Sequence, residues 1–324
     1  MKTNTSEKII KYIKENGQAT ANELVDFLNI SKQALFKHHL SKMIKNKILM
    51  KTGKPPKVFY FIKKHEHIKN VDIDNKIKKI INNNYLIITP IGEKKEGFAG
   101  FIYWCDKNKL DIHKTANDYI KTLNKYAKYK KNNLINGKSK FKSTFKNIFL
   151  DYIFYLDFYS IKRFGKTKLG QLLLYGKQSG NKKIIKKVVE MVKPKIEKII
   201  KQYKIDAVGF IPWTVKREVQ FMRELEKNLK LNKKSISISK IKTEIIVPQK
   251  TLSKLNDRIE NAKKTIILTE TGKYNNILLI DDAVGSGATL NEVAKQIKNK
   301  KIAKKVIGLS LTGSFKGFEV ISEI

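Results

Sequence analysis

Apolar residues recur at helical spacing through the first fifty residues of the chain. Ile9, Ile10 and Ile13 share one helix face, with Gly17 as its stop. Thr20 caps a second helix, Glu23 completes a capping box, and Leu24, Phe27 and Leu28 form its buried stripe. After Asn29-Ile30, Ser31 caps a third helix reaching about Asn46, with Leu35, Phe36, His39, Leu40 and Met43 on its inner face. The apolar runs then shorten. Stretches 48–50 and 58–62 read as strands around the polar tip Thr52-Gly53-Lys54-Pro55-Pro56-Lys57.

Beyond residue 70 the pattern divides again. Stretches 85–90 and 98–104 read as a strand pair around 92–97, followed by a helix over 113–131. From 151 onward, helical patterns at 182–203 and 217–229 alternate with strand-like runs at 207–211, 236–238, 265–268, 277–280 and 306–310. Strands alternating with helices predict an α/β fold: a mostly parallel sheet flanked by helices. The chain thus divides into residues 1–70, a basic α+β linker or extension at 71–150, and an α/β domain at 151–324.

Three helices and a hairpin, with a tight turn between the second and third helices, make a winged helix-turn-helix pattern. The third helix of such a module enters the major groove, which makes Lys32, Gln33, Lys37 and His38 candidates for DNA contact. Lys54 and Lys57 on the wing would touch the backbone. DNA or RNA binding is the favoured expectation for such a module; protein contacts or dimerisation are the alternative.

Charge changes this picture less than its size promises. The chain of 324 residues carries 68 basic and 29 acidic side chains, a net +39, a field that attracts polyanions. Only four of the basic residues are arginine, Arg163, Arg217, Arg223 and Arg258, and lysine, isoleucine and asparagine are abundant together, as AT-rich codon usage produces. Part of the excess is therefore background. Locally, residues 1–70 hold 15 lysines against 5 acidic residues, and 119–150 hold nine lysines and no carboxylate, interleaved with Tyr126, Tyr129, Phe141, Phe145 and Phe149. Such a stretch either grips single-stranded nucleic acid or is a solvated face over a half-buried core. His65-Glu66-His67 reads as linker, because nothing nearby completes a zinc ligand set. The single cysteine, Cys105, excludes disulfide frameworks, and no apolar run approaches membrane-span length, so a soluble, cytoplasmic protein is expected.

The chemistry concentrates in Asn276-Ile277-Leu278-Leu279-Ile280-Asp281-Asp282-Ala283-Val284-Gly285-Ser286-Gly287-Ala288-Thr289. Four apolar residues form a buried strand ending in two carboxylates, and a small-residue loop then leads into a helix near Leu290. Glycines let backbone N–H groups curl around a phosphate, and the helix N-terminus adds positive potential. Ser286 and Thr289 can donate hydroxyls to the same group. Carboxylates do not bind phosphate; they accept from vicinal ribose hydroxyls or hold Mg²⁺ directly or through water. The stretch lacks the lysine of a G-x-x-x-x-G-K-[ST] loop, and Leu290 breaks G-x-G-x-x-G.

Two acids followed by a phosphate loop resemble the 5-phosphoribosyl-1-diphosphate (PRPP) signature of type I phosphoribosyltransferases. Other motifs resemble the ComF-type branch. These are Tyr155-Leu156-Asp157 with the stretch 174–181 around Lys177, the strand 206–211 ending at Pro212-Trp213, and Gln249-Lys250-Thr251-Leu252-Ser253 with Arg258-Ile259-Glu260-Asn261-Ala262. Val219-Gln220-Phe221-Met222-Arg223 departs from that branch, which usually shows Arg-Gly-Phe-Asn-Gln there. The resemblance implies binding of PRPP or a nucleotide with Mg²⁺, the ion on Asp281 and Asp282. It implies a phosphate loop of Ala283, Val284, Gly285, Ser286, Gly287, Ala288 and Thr289. The diphosphate would face Lys177, Pro212, Trp213, Thr214, Lys216 and Arg217, with Asp281, Asp282 and Arg217 the catalytic candidates. Three functions stay open on this signature: a phosphoribosyltransferase, a winged-helix regulator that senses PRPP or a nucleotide as purine-repressor-type proteins do, or a factor in DNA uptake, since the ComF family is linked to competence. Dimers are common in both related groups, so a homodimer is among the expectations.

Overall fold

A computed structural model of the chain describes residues 4–46, 48–62, 71–241, 245 and 247–314. The His65-Glu66-His67 stretch lies outside these. The chain forms two compact units, Met1–Asn70 and Val71–Ile324.

In the first unit the helix Thr5–Asn16 stops at Gly17 and the helix Ala21–Leu28 starts after Thr20 and stops before Asn29, as the sequence predicts. Thr20 N–H donates to Glu23 Oε2 at 2.6 Å and Glu23 N–H to Thr20 Oγ1 at 3.3 Å, closing the capping box. Gly17, at φ 78°, ends the first helix, and Asn29, at φ 51°, ends the second. The third helix runs over 32–45 but widens into a π-helical register at Leu35–Leu40. In that register residues five apart stack, so Leu35 and Leu40 are both buried while Phe36 turns outward, 37% exposed, its ring edge against Tyr60. This corrects the inner-face placement of Phe36, which assumed a 3.6-residue period. Phe27 is also exposed, resting on the ring of Tyr12 at 4.6 Å. Strand β1 (Ala19–Thr20) pairs with β3 (Lys57–Ile62), which pairs with β2 (Leu49–Lys54), all antiparallel.

The second unit is a mixed α/β fold. After the helix Asn75–Asn84, strands β4 (Leu86–Ile88) and β5 (Lys94–Glu96) pair antiparallel, and the helix Gly97–Lys107 follows directly. The strand expected at 98–104 is therefore a helix. Its buried residues Phe98, Phe101, Ile102 and Cys105 are spaced three, four and seven apart, a helical period masked by aromatic residues that favour strands. The helix Ile112–Ala127 ends four residues before its expected limit. Next come β6 (Lys130–Lys131), β7 (Leu134–Asn136), the helix Lys138–Thr144 and β8 (Tyr152–Phe158). The two-residue turn between β6 and β7, Asn132 and Asn133, has φ 52° and 64°, the geometry asparagine tolerates in a tight hairpin.

Tyr126, Phe141 and Phe145 are buried in this unit's core, Tyr126 against Phe158 and Phe141 against Phe145. These three rings belong to the core, while Phe149 is partly buried and Tyr129, edge-on to Phe158, stays half exposed.

The remaining strands are β9 (Ala207–Phe210), β10 (Lys234–Ser235), β11 (Ile238–Lys240), β12 (Ile266–Leu268), β13 (Tyr274–Val284) and β14 (Ala303–Gly313). Seven strands of this unit form one sheet in the order β10-β9-β13-β14-β8-β7-β6; β10 to β8 are parallel and β7 and β6 antiparallel. Both faces are covered. Leu278 and Ile280 pack with the helices Lys168–Ser179, Lys182–Gln202 and Phe221–Leu229, while Ile277 and Leu279 pack with the helix Ala288–Asn299 and the aromatic residues of 81–164. A four-residue apolar run is what a strand buried on both sides requires.

Candidate functional site

From β9 the chain moves outward to β10, whereas from β13 it moves the other way to β14. The strand order reverses between these two neighbours, and in open α/β sheets the crevice outside the carboxyl ends at such a point receives ligands. A cavity of about 260 Å³ opens there. The loop after β9 and the loop after β13 form two of its walls.

Strand β13 runs on past the apolar residues to Val284, so the two aspartates lie within the strand rather than beyond it; Asp281 is still paired with Ser310 of β14. Strand alternation sends neighbouring side chains to opposite faces. Asp282 meets Lys177, near the end of the helix Lys168–Ser179, with Nζ 2.7 Å from Oδ2. Asp281 Oδ1 accepts from the Asp282 N–H at 2.8 Å. Burial at the cavity wall holds the Asp281 carboxyl well above the usual carboxylate range. The adjacent Asp282 charge adds to this, and Lys177 and Lys240 oppose it.

The loop 285–289 turns into the helix Ala288–Asn299. Gly287 precedes it at φ 85°, and a Cβ there would sit 2.2 Å from Phe141 Cζ, so both backbone and packing demand glycine. Ser286 is buried and its Oγ accepts from the Ala288 N–H at 3.3 Å. Asn291, on the same helix, donates to Asn147 O and accepts from the Phe149 N–H, tying the helix to the segment before β8.

The other wall is looser. The helix expected from 217 begins at Phe221, because Gln220 turns its amide back onto the carbonyls of Val215 and Arg217. Arg217 therefore lies in the loop and donates through Nη1 to the carbonyl of Lys177. Pro212, Trp213, Thr214 and Arg217 line the cavity, as do Lys177, Asp281, Asp282 and all of 283–289. Lys216 does not; it is exposed.

Sequence reasoning missed three polar lining residues. Lys240, on β11, donates to Thr214 Oγ1 at 2.8 Å; burial lowers its pKa and Asp281 opposes the shift. Gln249 and Arg258 come from the Gln…Arg…Asn motif, which pointed to them without assigning a role. Among the described residues no three His, Cys, Asp or Glu side chains cluster as a metal cage.

In the first unit Lys32, Gln33, Lys37 and His38 are all exposed on the third helix. The side chains of Lys54 and Lys57 lie outside the described part of the structure. No described helix is long and apolar enough to cross a membrane.

No family model matches the chain, and no curated protein matches it. Among solved structures, a hypoxanthine phosphoribosyltransferase from Staphylococcus aureus is similar to 41% of this chain, at 16% identity and a TM-score of 0.25. The match spans 65% of that protein's chain.

Proposed function

We propose that the second unit binds PRPP with Mg²⁺ and transfers its phosphoribosyl group to an acceptor, releasing diphosphate. One observation carries this reading: an acidic pair, a glycine loop that begins a helix, and a cationic loop from the neighbouring strand line one cavity at the switch point of the sheet. The N–H groups of 285–289 would hold the 5′-phosphate at the positive end of the helix Ala288–Asn299. Asp281 and Asp282 would accept hydrogen bonds from the ribose hydroxyls. Arg217 and the loop 211–217 face the leaving diphosphate, and Lys177 passes from Asp282 to that group as it binds. The acceptor forms a bond to C1 while the C1–O bond to diphosphate breaks, its electron pair leaving with the diphosphate.

Two adjacent carboxylates fit Mg²⁺, a hard cation that keeps waters and takes further oxygens from phosphates. Asp281 and Asp282 would hold it, and its charge would neutralise the diphosphate. Titration calorimetry with PRPP and Mg²⁺ tests the assignment. Asp281→Asn/Asp282→Asn is expected to weaken binding by at least about tenfold, equivalent to roughly 1.4 kcal/mol. Equal affinity for both proteins would refute it.

A second reading keeps the binding and drops turnover. It is motivated by Gln220 and Met222, which line the cavity where the ComF-type pattern has glycine and asparagine. Incubation with PRPP, Mg²⁺ and a panel of nucleobases and amines separates the two: diphosphate release supports the transferase, and tight binding without release supports a sensor. For the first unit we propose a winged helix that binds DNA through Lys32, Gln33, Lys37 and His38, as a regulator or in DNA uptake. A gel-shift salt titration in which deleting residues 1–70 changes neither affinity nor slope would exclude it.

A further inference from the structure

The connection between β10 and β13 carries a charged side chain to the cavity that neither loop accounts for. Arg258 lies on the helix Leu255–Thr265 and is 3% exposed, yet it lines the cavity. Its Nη1 is 3.5 Å from the position a Cβ would take on Gly285, so the guanidinium rests against the first residue of the phosphate loop. Its orientation is set from behind. Nε donates to Leu252 O at 2.7 Å, and the Gln249 amide donates to Arg258 O at 2.9 Å and to Asn261 Oδ1 at 3.2 Å. The Gln…Arg…Asn motif is thus one hydrogen-bonded unit whose product is a fixed guanidinium beside Gly285. A planar fork held in place suits phosphate oxygens, and lysine, so abundant elsewhere in the chain, lacks that geometry. Two of the chain's four arginines, Arg217 and Arg258, line this one cavity, the first on the loop after β9 and the second on the helix Leu255–Thr265.

We propose that Arg258 is a ligand of the phosphate bound by loop 285–289, positioned by Gln249, and that it makes the cavity select a ribose bearing a 5′-phosphate. The inference rests on the PRPP reading above. Its test is calorimetry on the full chain with ribose 5-phosphate, which reports the 285–289 end, and with magnesium diphosphate, which reports the Arg217 end. Arg258→Gln should weaken ribose 5-phosphate at least tenfold and magnesium diphosphate less than twofold. Arg258→Lys should lose less, and Gln249→Ala should give a smaller loss confined to ribose 5-phosphate. Thermal unfolding accompanies each variant, and Arg258→Lys carries the test should Arg258→Gln fail to fold. Wild type that binds both probes, with Arg258 variants weakening both equally or neither, overturns this inference alone. Wild type that binds neither probe overturns the PRPP reading and this inference with it.

Discussion

Loop 285–289 is wedged between the Phe141 ring and the first turn of the helix Ala288–Asn299, with Ser286 and Gly287 buried. Loop 211–217, at the end of the adjacent strand, is held by side-chain hydrogen bonds from Gln220, Lys240 and Arg217, and leaves Trp213 and Val215 about two-fifths exposed, at 42% and 40%. The first is shaped before any ligand arrives. The second can rearrange at small cost, because few buried contacts resist it. On the proposed PRPP reading, one phosphate would be seized and another released, and that asymmetry would serve both.

The largest effect expected from breaking this contrast is at Gly287. Gly287→Ala forces a side chain into the left-handed region and onto Phe141, costing about 2–4 kcal/mol of stability. A displaced loop should also lose about 100-fold in PRPP affinity. Thermal unfolding and calorimetry read the two, and an unchanged protein would show that the loop is not shaped by packing.

A smaller effect follows from Asp281. Its folded pKa is raised, so the folded state holds this proton more tightly than the unfolded chain does. Removing it as pH climbs from about 4 lowers the stability of the ligand-free protein. The proposed PRPP binding with Mg²⁺ would need the carboxylate, so affinity should move the other way and rise with pH, by up to about tenfold per pH unit through the folded pKa. Asp281→Asn should flatten both dependences; slopes that persist in it would place the titrating group elsewhere.

The smallest effect belongs to the looser wall. Trp213→Ala should change stability by less than about 0.5 kcal/mol, since the ring is exposed. It should weaken magnesium diphosphate only a few-fold. A loss of stability as large as that of Gly287→Ala would erase the distinction between the loops.

The elements legible in the sequence are those whose cause is local. The Thr20–Glu23 capping box, Gly17, and the apolar run of β13 followed by a small-residue loop and a helix all sit within a few residues of their effects. The strand expected at 98–104 failed because aromatic residues carry a strand preference that core packing overrides. Phe36 was misplaced because a π-helical turn changes which residues share a face.

The candidate site divides along the same line. Neighbours in sequence mark Asp281, Asp282 and the 285–289 loop as a unit. The partners of that unit are distant: Lys177 is more than a hundred residues from Asp282, Phe141 further still from Gly287, and Lys240 and Arg258 come from the connection between β10 and β13, whose motif marks Arg258 without saying what it faces. Residue type and spacing encode backbone conformation over one or two turns. Which cation faces which carboxylate depends on strand order, set by burying both faces of the sheet at once, and that condition is met only by the folded chain.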